Sequence, residues 1–292
     1  MEDAMLNGVM LLWFVLTAVS VVFVVIDIRK TPESKVLKWG FILLTAYTGP
    51  VGAFLYALGC REPLPGLHER YVSVRWRQVL GSTMHCVAGD GVGILVGAVL
   101  GSLLSLSLYK DIALEYVLGF GFGWTIFQAL FMKDTAGGSY IRALYNTFIP
   151  ELLSMNCLMA AMVALTSIAK ANVAGSDSAL NASFWFIMSM GLLFGFIVAY
   201  PINWWLVSNN LKHGMMTVRP PKERTAITTE KMEQVVEHAR PQMTNAGSSP
   251  VQSGHSGMQA TKPSTLEILK MTILTFVVLG IGLAIAAIFG SQ

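Results

Sequence analysis

The chain has 292 residues, of which 54% are hydrophobic and only 13% charged, and its mean hydropathy is +0.58; soluble domains carry about 25% charged residues. These values exclude a water-soluble enzyme domain and point to an integral membrane protein, because uncharged runs of about twenty residues recur and one helix needs that length to cross a hydrocarbon core. The net charge of +3 is small and the basic residues cluster at the ends of apolar runs, which argues against nucleic acid as a partner and for the lipid bilayer.

Leu6–Ile26 is too long for the apolar part of a cleavable signal and reads as a retained first span. A basic connector, Arg29 to Lys38, leads into Trp39–Gly59, read as a second span kinked at Pro50. Residues 60–78 hold four arginines, two glutamates, His68 and Trp76, too polar to span and suited to the headgroup layer. Ser82–Tyr109 and Ile112–Met132 are the third and fourth spans, Leu152–Ala169 the fifth and Phe184–Val207 the sixth. Residues 208–264, with five prolines, three histidines, five methionines and few large aliphatics, read as a mobile polar loop with a short helix at Thr229–Ala239. Residues 265–292 hold the final transmembrane helix, expected at the periphery. The expected fold is all-α, a polytopic bundle of about seven spans: a six-span membrane domain over 1–207, the loop, and the last helix.

Seven crossings leave the orientation contested. Fourteen Lys and Arg fall on the face of the amino terminus and six on the other, but eight of the fourteen lie in the long loop. Long loops translocate with less regard for charge, and the flanks of the first span favour an outside amino terminus.

In the third span, Met84-His85-Cys86-Val87-Ala88-Gly89-Asp90 places an imidazole, a thiol and a carboxylate within two helical turns at membrane depth. Ionisable groups are costly there and mark function. At about 100° per residue Cys86 and Asp90 share a face, with His85 about a quarter turn from Cys86. Imidazole and thiolate suit copper or zinc, so His85, Cys86 and Asp90 are candidate metal ligands; the alternative is packing, with Asp90 bonded to a neighbouring helix. Further along, Gly93, Gly97 and Gly101 repeat every four residues after Gly89, and Gly119 and Gly123 offer a matching surface for close helix packing.

Pro150 and Glu151 suit the first turn of the fifth span, which would leave Glu151 at the interface. On the functional reading, Glu151, Ser154 and Met155 share a face, and Glu151 and Met155 join the candidate metal set. The stripe Met155, Met159 and Met162 serves equally as core filler. Gln128 and Asn203 are the expected hydrogen-bond donors behind the ligands. The carboxylates of Asp90 and Glu151 are expected to face the bundle interior within about 12 Å of each other, close enough for one bridging ion and its waters. Trp204 and Trp205 suit an interfacial anchor. His213, His238, His255 and Met258 scatter soft and borderline ligands through the loop or are ordinary polar residues of it. No glycine-rich phosphate loop and no serine nucleophile elbow occurs, and Cys60, Cys86 and Cys157 give no disulfide framework.

Four stretches together resemble the bacterial family of polytopic membrane proteins known as domain of unknown function 4396. They are Thr45-Ala-Tyr-Thr-Gly-Pro-Val-Gly with Leu55 and Tyr56, Met84-His-Cys-Val-Ala-Gly-Asp, Phe122-Gly-Trp-Thr-Ile-Phe-Gln, and Tyr200-Pro-Ile-Asn-Trp-Trp-Leu with Lys212. The resemblance implies a fold family rather than an activity. Some of its members are joined to multicopper oxidase domains or carry His- and Met-rich loops, which implies copper handling at the cell envelope, in a bacterial inner membrane, with an envelope redox protein such as a multicopper oxidase as partner. The loop of this chain has fewer His and Met than the metal-rich relatives. Glu151-Leu-Leu-Ser154 aligns with the family's acid in the fifth span. Three functions follow as expectations, none of them enzymatic: metal transport or handling with copper as the ion, proton-coupled transport of a small solute or a channel with Asp90 and Glu151 carrying protons, and a membrane subunit that docks a redox partner through the loop.

Overall fold

The computed structural model describes residues 2–61, 68–130, 133, 138–214 and 263–290, and these form helices and turns throughout. The helices are α1 (Glu2–Asp27), α2 (Lys35–Thr48), α3 (Pro50–Gly59), α4 (His68–Val72), α5 (Arg75–Leu103), α6 (Leu108–Phe122), α7 (Tyr140–Asn172), α8 (Ala182–Ser208) and α9 (Thr265–Phe289); a π-helical segment, Gly123–Leu130, continues α6. Six of the helical stretches are long and apolar enough to cross a membrane, so the chain is an all-α membrane bundle. Helices α5, α7 and α8 form its centre. About 72% of the apolar stretch of α7 is buried, against 11% for α1 and 17% for α9, which present Leu11, Leu12, Val15, Ile273 and Val277 outward. The capping box that starts α9, in which Ser264 and Glu267 bond each other's backbone N–H, is a local start signal that the sequence Ser-Thr-Leu-Glu encodes.

The stretch read as a second span is a helical hairpin. The chain turns at Gly49, whose φ of 60° is open to glycine, and a Cβ there would lie 2.7 Å from Thr17 Oγ1 and 2.8 Å from the Trp13 ring. Pro50 then starts a new helix rather than kinking the old one, because its fixed φ and missing N–H suit a first turn. Both ends of the hairpin meet the same end of α1. Lys38 Nζ donates to the Arg29 carbonyl at 3.3 Å at the entry. At the exit, Tyr56 donates to Asp27 Oδ2 at 2.9 Å and Arg61 pairs with it at 3.0 Å. The turn itself reaches Trp13 and Thr17, well along α1 from Asp27. The hairpin therefore enters and leaves the bundle on one side, and the crossings among the described residues number six, with both described chain ends, Glu2 and Gly290, on the other side.

Residues 60–78 form two things. Cys60, Arg61 and α4 cover the end of the hairpin, where His68 meets Glu33 at 2.8 Å and the Arg77 guanidinium sits 3.5 Å from the Tyr71 ring centroid. From Arg75 onward the chain is already α5. The expected mobile loop at 208–264, with the short helix proposed at Thr229–Ala239 and the ligands His238, His255 and Met258, lies almost wholly outside the described residues.

The glycines of α5 are the seat of α6 and the π-helical segment. A Cβ at Gly93 would lie 2.1 Å from the Leu118 carbonyl oxygen, at Gly97 2.7 Å from Glu115 Cα, and at Gly89 2.6 Å from the Phe127 ring. Only glycine allows that approach. The fifth span is longer than Leu152–Ala169: α7 begins at Tyr140, capped by Ser139, so Pro150 falls inside the helix. Glu151 is consequently not an interfacial carboxylate but a fully buried one.

Candidate functional site

Helix α5 buries Cys86 and Asp90 on one face, as their four-residue spacing requires, and α7 brings Glu151 and Ser154 against them. All four are at most 1% exposed. The Cys86 thiol donates to Glu151 Oε2 at 3.1 Å and accepts from Gln128 Nε2 at 2.9 Å. Asn203 of α8 donates through Nδ2 to Ser154 Oγ at 2.8 Å and to the Ala199 carbonyl at 2.8 Å.

The cluster is completed by Lys212. Helix α8 ends in a Schellman turn: Asn210 takes a φ of 54°, its N–H bonds the Val207 carbonyl at 3.2 Å, and the Leu211 N–H bonds the Leu206 carbonyl at 3.0 Å. Asparagine tolerates that left-handed position better than other residues with a side chain. The turn sends the chain back, and the Lys212 ammonium enters the bundle. It donates to Cys86 Sγ, donates to Asn203 Oδ1 at 3.0 Å, and stands 3.5 Å from Glu151 Oε2.

The two carboxylates face each other across Gly123. A Cβ at that glycine would lie 1.8 Å from Asp90 Oδ1 and 2.9 Å from Glu151 Oε1, so the oxygens are separated by no more than the sum of those distances. Neither oxygen of Asp90 nor Oε1 of Glu151 meets a hydrogen-bond donor among the described residues. Gly123 opens the π-helical segment that also supplies Gln128 and Phe127, and π-helical turns recur at functional sites because the widened turn re-aims side chains.

His85 and Met155 stand apart from this network. The His85 ring packs edge-on against Phe127 with centroids 5.3 Å apart, and neither ring nitrogen has a hydrogen-bond partner among the described residues. The Met155 methyl lies against Gly119, one turn before Gly123. Among the described residues no group of three or more His, Cys, Asp or Glu is arranged to hold a metal ion. The donor set does not fit a resident copper ion: Cys86 and Glu151 hydrogen-bond each other directly, and the Lys212 ammonium occupies the space beside both.

Lysine 212 links the cluster to the surface. It lines a cavity of about 260 Å³ at the Asp27 end of the bundle together with Arg75, Gln78 and His213. The role of Lys212 escaped the reading of candidate residues, since a lysine beyond the last apolar residue looks like an ordinary flank. Asn209-Asn210 just before it is the signal of a helix end that turns back.

No curated protein and no solved structure matches the chain. Residues 75–212 match the family model described as Domain of unknown function (DUF4396). That stretch opens with the first residue of α5, closes on Lys212 and contains every member of the cluster. Residues 75–212 thereby form a domain of the family of the domain of unknown function 4396.

Proposed function

We propose that the chain is a proton-coupled membrane transporter, not an enzyme, in which Asp90 and Glu151 carry the proton and Lys212 is the internal counter-cation. The observation that carries this reading is a count of charges in a dry place. One ammonium balances one carboxylate, and two carboxylates face each other beside it. Like charges this close in low dielectric do not both persist, so the second acid is neutralised by a proton or another cation. When that proton leaves, the ammonium is drawn to the new charge and the set rearranges. Coupling follows from that rearrangement. The hairpin suits the same reading, because non-helical backbone at membrane depth is found where it is buried in protein or lines a pathway.

Six crossings among the described residues support one orientation through the charge count. The described Lys and Arg of Arg29–Lys38 and Arg61–Arg77, with Lys133, Arg142, Lys212 and Lys270, make twelve at the Asp27 end; Lys110 and Lys170 make two at the other. By the positive-inside rule the Asp27 end is cytoplasmic and both chain ends are outside. The membrane we assign is the bacterial inner membrane.

Copper as a transported cargo is the second reading, favoured by the two unpartnered nitrogens of buried His85 next to Cys86 in sequence. It requires Lys212 to withdraw, and an envelope redox protein such as a multicopper oxidase would then receive the ion. Purified protein in liposomes, assayed for voltage-driven proton flux and for bound metal, separates the two. Proton flux lost in Asp90→Asn and Glu151→Gln, without stoichiometric metal, supports the proposal. Stoichiometric copper lost in Cys86→Ser, without proton flux, overturns it.

A further inference from the structure

We infer that the cavity at the outer end of the bundle, with Glu115 as its buried carboxylate, is the outer station of the proton route. This rests on the transport reading above and extends it to a second site. The cavity holds about 250 Å³ between α6, α7 and the end of α9, and its polar lining is Asp111, Glu115, Thr166, Ser167, Lys170 and Asp177. Three acids against one lysine make it a place for a cation.

Glu115 is 5% exposed, lines the cavity, and has no hydrogen-bond donor among the described residues. Asp111 Oδ2 is 3.8 Å from Lys170 Nζ, while its Oδ1 is buried and unpartnered. Lys170 is thus engaged by Asp111 and leaves Glu115 without a counter-charge of its own. The groups facing Glu115 are Asp111 from α6, Lys170 from α7 and Asp177 from the following turn; α5 presents Gly97, Ala98 and Gly101, and the end of α9 presents Phe289 with its cap Gly290, all uncharged. A buried acid in that setting takes its proton from cavity water, becoming a neutral acid, and returns to the carboxylate when it passes the proton inward. No further reactant is consumed.

The same face of α6 joins this station to the inner one. Asp111, Glu115, Gly119 and Gly123 recur every four residues along one winding ridge that turns about 40° per step, and Glu115 stands about 12 Å along the axis from Gly123 at the helical rise per residue. Gly123 is where Asp90 and Glu151 meet. Between the stations Gly119 packs against Ile94 and Met155, and Tyr116 beside it places its hydroxyl 2.6 Å from Asn156 Oδ1 of α7, which puts polar groups next to the run. The glycines keep α6 close to α5, and the carboxylates mark the two ends of the run.

The test compares wild type, Glu115→Gln, Glu115→Asp and Asp90→Asn in liposomes loaded with a pH-sensitive dye, driven by a potassium diffusion potential. The expected result is flux reduced about a hundredfold in Glu115→Gln, in proportion to what a positioned proton carrier contributes, and partly restored in Glu115→Asp. Wild-type flux in Glu115→Gln with loss in Asp90→Asn overturns this inference and leaves the transport reading standing. Absence of flux in wild type overturns both. Should Glu115→Gln fail to fold, a hydrophobic carbodiimide on the wild-type protein serves instead: modification mapped to Glu115 by mass spectrometry supports the station, and an unmodified Glu115 overturns it.

Discussion

The Lys212 ammonium stands 3.5 Å from Glu151 Oε2 with both side chains at most 5% exposed, joining the end of α8 to the middle of α7. A pair this dry is held together as much by the cost of separating it as by its attraction. Removing one partner leaves a buried charge uncompensated. Lys212→Met is therefore expected to lose about 3–5 kcal/mol of stability, and Lys212→Met with Glu151→Gln to regain most of it, in denaturant unfolding of the purified protein in detergent. Additive losses in the double variant would show that the two groups are not coupled.

Gly123→Ala and Gly121→Ala form an internal control. A Cβ at Gly123 meets Asp90 Oδ1 at 1.8 Å, whereas at Gly121 nothing lies within 4 Å. Gly123→Ala is expected to cost about 1–3 kcal/mol by overpacking, while Gly121→Ala is neutral or gains up to about 1 kcal/mol from helix propensity. Thermal unfolding midpoints of the two variants check this. Equal midpoints would mean that the carboxylates do not meet at Gly123.

The hairpin makes a topological prediction. Single cysteines at Lys35, Arg61 and Arg75, in a background without the native thiols, are expected to react with an impermeant maleimide from the cytoplasmic side. Reporters at both chain ends should mark the opposite side. Labelling of Lys35→Cys and Arg61→Cys from opposite sides would restore a true second crossing.

Cys86 is fully buried beneath Lys212, so a maleimide should leave it unmodified in the native protein. In Lys212→Ala, with Cys60 and Cys157 replaced by serine, the vacated space opens toward the cavity that Lys212 lines. Labelling from the cytoplasmic side is expected to rise. Unchanged protection would place the barrier elsewhere.

How much of this was legible in the sequence depends on the range of the signal. Hydropathy gave the long apolar helices, because crossing a membrane demands length, and the glycine spacing of α5 gave its contact with α6. The hairpin did not show, since Lys35–Gly59 has the length of one crossing and only the contacts of Tyr56 and Arg61 with Asp27 reveal that it returns. Cys86, Asp90, Glu151, Gln128 and Asn203 drew attention as polar groups at membrane depth, and the helices bring them together. His85 joins them by its place beside Cys86 and its imidazole chemistry, and Met155 by helical spacing, and neighbouring helices turn both to other contacts. Lys212 required a tertiary fact, the turn at Asn210, that no periodicity contains.

The central claim is that the Asp90–Glu151 pair holds a proton against the single charge of Lys212. Infrared difference spectroscopy of the purified protein across a pH titration reads that proton as a carboxylic acid band. In a Glu115→Gln background, which removes the outer acid, the account predicts a band at neutral pH that vanishes in Asp90→Asn or Glu151→Gln and survives in Asp111→Asn. A neutral-pH spectrum with no acid band from the pair, in protein carrying a stoichiometric metal ion, would contradict it.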